Sequence, residues 1–262
     1  MNRNVTLAGT LAAVLPLALT GLGPASASEP SARAAAPYTV TAKANIKTAV
    51  AKEDTVRVTG RVAPRAAGQQ VVLQQRLEGK NKWNVSGTGR IKKNGKFVLT
   101  DDPRTPGTRF YRVLKPASGK TKAGTSKELE VVVYRWERLT SRSAGPTENL
   151  TFGSVDIATD SYPFSISTRE VDAPGSVEYT LGRKCRTLRA TYALTDASPS
   201  GSTGTVTVST DGAGRVSNAL TIGTVVEDQE ISLTNVFRLR FDVASALGGI
   251  AAIGTPEVLC TR

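Results

Sequence analysis

The 262-residue chain has no histidine, two cysteines and one methionine, and only 5% of it is aromatic. Without histidine there is no side chain whose ordinary pKa sits near neutrality. The commonest general base, the usual zinc ligand and every Ser-His or Cys-His nucleophile pair are therefore excluded. Gly119-Lys120-Thr121 ends like a phosphate loop, but the glycine that pattern needs at position 114 is Leu114. A carboxylate-pair glycosidase needs no histidine; the densest acidic cluster, Glu227-Asp228-x-Glu230, reads instead as a solvated loop before a strand. These absences point away from an enzyme and from any cofactor.

Long apolar runs are scarce too. The one near the N-terminus, Val5 to Leu22, follows Asn2-Arg3-Asn4 and leads to Ala25-Ser26-Ala27, the order of a secretory signal peptide over 1–27. Pro16, Gly21, Gly23 and Pro24 interrupt it, and no second run of about 18 apolar residues follows, so no membrane span is expected. The Ser-, Ala- and Pro-rich stretch 28–37 reads as a flexible leader. The expectation is a secreted protein, held at the cell wall, if at all, noncovalently. In an oxidising compartment Cys185 and Cys260 are read as a disulfide that ties the last strand to the body of the second half.

The charge is unevenly placed. Of the net +12, Ser28 to Tyr134 carries 21 Lys+Arg against 8 Asp+Glu, whereas Arg135 to Arg262 carries 12 against 14 with Lys184 its only lysine. The split marks a boundary between two chemically different halves and makes an anionic partner for the first worth seeking. Arg57, Arg61, Arg76, Lys92, Lys93, Lys96, Arg109 and Arg112 are the candidates for a basic surface facing an anionic cell-envelope polymer. Nucleic acid is not expected, because few aromatics are interleaved with these cations to stack on bases.

Short strand patterns fill both halves. In the first, Thr55 to Val62 places Val56, Val58 and Val62 among polar neighbours, Gln70 to Leu77 follows, Asn94-Gly95 signals a hairpin, and Leu129 to Tyr134 closes the series. In the second, Ser176 to Leu181, Cys185 to Leu194, Thr205 to Val208, Glu230 to Leu233, Asn235 to Val243 and Pro256 to Cys260 are expected strands. Phe237, Leu239, Phe241 and Val243 share an apolar parity, as do Tyr179 and Tyr192, so these aromatics are assigned to the core. The charged segment 135–147 reads as a linker whose Trp136 either packs between domains or offers a stacking platform.

Val56-x-Val58-x-Gly60-x-Val62-x-Pro64, Gly68-Gln-x-Val71-x-Leu73-Gln74, Trp83, Gly95-x-Phe97, Pro106-Gly107 and Tyr111-Arg112-Val113 resemble the immunoglobulin-like modules of exported actinobacterial proteins. Tyr162-x-Phe164-x-Ile166, Val177-x-Tyr179-x-Leu181-Gly182, Leu188-Arg-Ala190-x-Tyr192-x-Leu194-x-Asp196, Gly204-x-Val206-x-Val208-x-x-Asp211-Gly212, Ile231-x-Leu233 and Phe237-Arg-Leu239-x-Phe241 resemble the novel putative carbohydrate-binding module, a galactose-binding-like jelly roll. The chain departs from that family where a His-Gly pair is usual, reading Phe164-Ser165, and before the last strand, reading Gly248-Gly249-Ile250-Ala251-Ala252. The resemblances imply an all-β fold of two β-sandwich domains: immunoglobulin-like at 38–134 and, after the linker, a jelly roll at 148–262. They imply a glycan ligand, for which Trp136, Asp160, Tyr162, Asp196 and Asp211 are the candidate residues, the last two also as possible calcium ligands. A jelly roll that contacts another protein is the alternative.

Overall fold

In the computed structural model residues 36–262 are described, and Ala35–Arg262 is one unit. The proposed signal peptide and most of the leader lie outside the described residues. At the start of the described residues Pro37 bridges to Lys122.

The chain is all-β, its only helical element among the described residues being a 3-10 turn at Leu139–Ser141. The strands are β1 (Thr39–Ala44), β2 (Thr48–Val50), β3 (Val56–Ala63), β4 (Gln70–Leu77), β5 (Asn84–Arg90), β6 (Lys96–Asp101), β7 (Gly107–Lys115), β8 (Gly124–Thr125), β9 (Leu129–Arg138) and β10 (Thr147–Glu148). They continue as β11 (Leu150–Ile157), β12 (Asp160–Thr168), β13 (Gly175–Thr180), β14 (Cys185–Leu194), β15 (Thr203–Thr210), β16 (Ala213–Thr221), β17 (Val225–Ser232), β18 (Arg238–Ala246) and β19 (Ala251–Cys260). No helix among the described residues is long and apolar enough to cross a membrane.

One 11-stranded sheet runs through both halves, with β11-β12-β19-β9-β7-β4-β5 as its path, β14 beside β19 and β17 beside β14. A three-stranded sheet, β1-β3-β6, and a five-stranded sheet, β10-β13-β18-β15-β16, complete the fold. Their inward side chains meet the large sheet in two sandwich-like cores. In the first, Val56, Val58 and Phe97 meet Leu73, Tyr111 and Val133; in the second, Tyr179, Val206 and Phe241 meet Leu188, Tyr192 and Ile253. Period-2 alternation turns Val56, Val58 and Val62 of β3 and Tyr111 and Val113 of β7 inward, and Arg57 and Arg61 of β3 and Phe110 and Arg112 of β7 outward.

The segment 135–147 is not simply a linker. Arg135 to Arg138 are the end of β9 and pair with Cys260 to Glu257 of β19, so the two halves are joined by a ladder of backbone hydrogen bonds. Asn94-Gly95 is also not a hairpin between its flanking strands. Gly95, at φ 80, makes a tight turn, but β5 pairs with β4 and β6 with β3, so the turn carries the chain from one sheet to another. The Cys185–Cys260 disulfide is formed, linking residues directly opposite each other on β14 and β19.

Candidate functional site

Both cores lie on the same side of β9. Val131 and Val133 enter the first, Leu139 beyond the strand enters the second, and the even-numbered residues point away from both. That outer face of the large sheet gathers five aromatic rings that are each covered by an arginine. At one end the guanidiniums of Arg76 and Arg112 lie 5.2 and 4.1 Å from the Trp83 ring centroid, and Arg76 also lies 4.3 Å from that of Phe110. At the other, Arg186 covers Tyr134 at 5.4 Å, Arg189 covers Trp136 at 4.4 Å and Arg138 covers Phe164 at 3.6 Å. Both tryptophans of the chain are among them.

Three of these five arginines are held in place. Arg112 Nε donates to Gln74 Oε1 at 2.8 Å, Arg76 pairs with Glu128 at 2.8 Å, and Arg189 pairs with Glu257 at 2.7 Å. The hydrogen bond to Glu257 raises the Arg189 pKa further, so this cation is permanent. A guanidinium stacked on a ring keeps in-plane N–H groups for a second acceptor. The face can therefore stack against a flat apolar surface and donate to an anion at its edge.

Tyr162 is on the same side of the sheet, but in strand β12 rather than a loop. Its ring lies against Gly254, where any Cβ would fall 2.8 Å from Tyr162 Cδ1. Burial, then Glu227 and Asp160, raise its pKa. Glu227, Asp228 and Glu230 belong to β17, not to a loop, and Glu230 is the cross-strand partner of Arg189. Asp160 opens β12 at the rim.

Asp196 and Asp211 are occupied by backbone. Asp196 accepts the N–H of Ala158 at 2.8 Å and of Thr159 at 2.9 Å. Asp211 accepts those of Arg238 and Phe237, which lower its pKa. Both clamp turns, and among the described residues no three Asp, Glu, His or Cys side chains gather as a metal site. Phe237 departs from its core assignment: it is 39% exposed at the end of its strand, with Arg183 5.7 Å from the ring centroid. Tyr179, Tyr192 and Phe241 are buried as expected.

The basic candidates do not share one face. Arg76 and Arg112 are on the aromatic face, whereas Arg57, Arg61 and Lys96 point outward from the three-stranded sheet and Lys92 and Lys93 lie in the turn before β6. Arg109 is not surface at all. It is 6% exposed, on the inward parity of β7, and donates to Gln75 and Thr105. Tyr134, Arg138, Phe164, Arg186 and Arg189 were absent from the sequence-based candidates. Tyr134-x-Trp136-x-Arg138, period 2 continued through the supposed linker, is the signal that finds the first two; Phe164, Arg186 and Arg189 reach the face only through the strand register.

No protein-family model matches the chain, and no curated protein matches it. What defines its class is the fold and this face: an all-β protein with an arginine-covered aromatic surface.

Proposed function

We propose that this is a secreted, non-enzymatic binding protein that attaches to glycans of the cell envelope or extracellular matrix. In this reading the first half is an immunoglobulin-like sandwich and the second a jelly roll of the carbohydrate-binding-module type. The observation that carries it is the row of Trp83, Phe110, Tyr134, Trp136 and Phe164 under their arginines on one outer face. Aromatic rings stack on the apolar faces of sugars. Arginine forks bind carboxylate or phosphate in the plane of the guanidinium. An acidic glycan satisfies both, and a neutral one only the first.

A glycan array and a pull-down on purified cell wall, each at low and moderate salt, test this. Retention that favours acidic glycans is expected; no binding in either assay overturns it. The alternative, a structural protein whose second half docks another protein, is favoured by the same Trp, Tyr and Arg content, because these residues dominate protein interfaces. Co-purification of one stoichiometric protein partner with no glycan retained would select it.

A further inference from the structure

The three-stranded sheet has an outer face of a different kind. On β1, β3 and β6 the residues that point away from the core include Thr41, Lys43, Arg57, Thr59, Arg61, Lys96 and Thr100. The register aligns them in rows across the strands: Thr41, Arg61 and Lys96 in one, Lys43 beside Thr59 in the next, and Arg57 beside Thr100 in a third. Every row thus offers at least one cation and one hydroxyl. The only acidic residue in the three strands, Asp101, is turned inward, accepting the Tyr111 O–H at 2.7 Å.

None of these cations is in an ion pair among the described residues. Arg61 is held by its Nε and Nη2 groups, which donate to Asn94 O, and its Nη1 makes no hydrogen bond among the described residues. Lys92 joins from the turn before β6, and with Lys43, Arg61 and Lys96 it lines a groove of about 510 Å³. The face has no exposed ring: its one nearby aromatic, Phe97, is 1% exposed.

We infer that this face is a separate site for a linear phosphate polymer, distinct from the aromatic face on the other side of the first core. Lysine, arginine and threonine side chains together form the donor set that satisfies phosphate oxygens. Rows about 7 Å apart along the strands, set by two residues of strand rise, present that set repeatedly in one direction. With no ring to stack on, the face reads charge and acceptor oxygens and is indifferent to sugar or base. The inference deepens the envelope-binding reading above by giving the basic half its own ligand class.

The test is binding of the full chain to linear inorganic polyphosphate, with polyglutamate of equal charge and anionic phospholipid vesicles as the comparison arms. The double variant Arg61→Glu with Lys96→Glu is compared with Lys120→Glu and Lys127→Glu, two exposed positions off this face. We expect polyphosphate to bind more tightly than polyglutamate, steep weakening with salt, and at least a tenfold loss in the face variant but not in the control. Thermal unfolding of each variant keeps misfolding from being read as lost binding. Equal losses in the two variants, preference for polyglutamate, or binding to vesicles without polyphosphate would each overturn the proposal. Polyphosphate has no ring to stack, so failure here leaves the aromatic face standing, and failure of the aromatic face on glycans leaves this site standing.

Discussion

Trp136 of β9 is the cross-strand partner of Leu259 of β19, so the strand that completes the first core is hydrogen-bonded to the strand that completes the second. The large sheet is continuous across this pair. One half cannot lose its last strand without stripping a partner from the other, and calorimetry should show a single unfolding transition. Two resolved transitions would mean that the ladder contributes little.

The disulfide sits at the same junction, since Cys260 pairs with both Cys185 and Arg135. Replacing both cysteines by serine should cost about 4.5 kcal/mol through the 75-residue separation it closes. Hydrogen exchange should rise first in β19 and in Arg135 to Arg138. Loosening confined to the second half would contradict the shared-sheet account.

Ala158 and Thr159 both have positive φ, at 49° and 73°, in the two-residue turn between β11 and β12. Neither residue type favours that conformation, which Asn-Gly would adopt without strain. The Asp196 carboxylate, accepting both amides, compensates. Asp196→Ala should lower stability by about 1–2 kcal/mol, read from urea midpoints, and Ala158→Asn with Thr159→Gly should restore part of it.

Four tyrosines are buried, and burial raises the pKa of three of them: Tyr179 to about 12, with Tyr111 and Tyr192 raised as well. A raised folded pKa means that these side chains favour the folded state fully below the unfolded value near 10. For Tyr179 that contribution is lost as pH rises through about 12. An ultraviolet titration should therefore show three of the six tyrosines ionising only with alkaline unfolding. Smooth titration of all six in the folded state would contradict their burial.

The strands with clean alternation were legible in the sequence: β4 and β14 fall on their expected bounds. Those that were missed lack the signal for physical reasons. β11 is an edge strand with most of its residues exposed, and β17, expected only from Glu230 onward, begins earlier at Val225 and passes through the exposed Glu227 and Asp228. The linker reading failed because β9 crosses the seam between two cores. Its inward positions there, Arg135 and Glu137, face neither core, so they are charged and the apolar period lapses while the strand continues. The aromatic face was hidden by the same lapse. Trp136 was visible as a candidate, but the arginine that covers it comes from β14, some fifty residues on, through a register the sequence does not display.

The most direct test of the central claim is retention of the full chain on purified cell wall when the aromatic face is removed. Trp83→Ala with Trp136→Ala should weaken retention by on the order of tenfold, roughly 1.4 kcal/mol, while the thermal transition stays cooperative. Retention equal to that of the unaltered protein, with the fold intact, would contradict the assignment of the arginine-covered aromatic face as the glycan site.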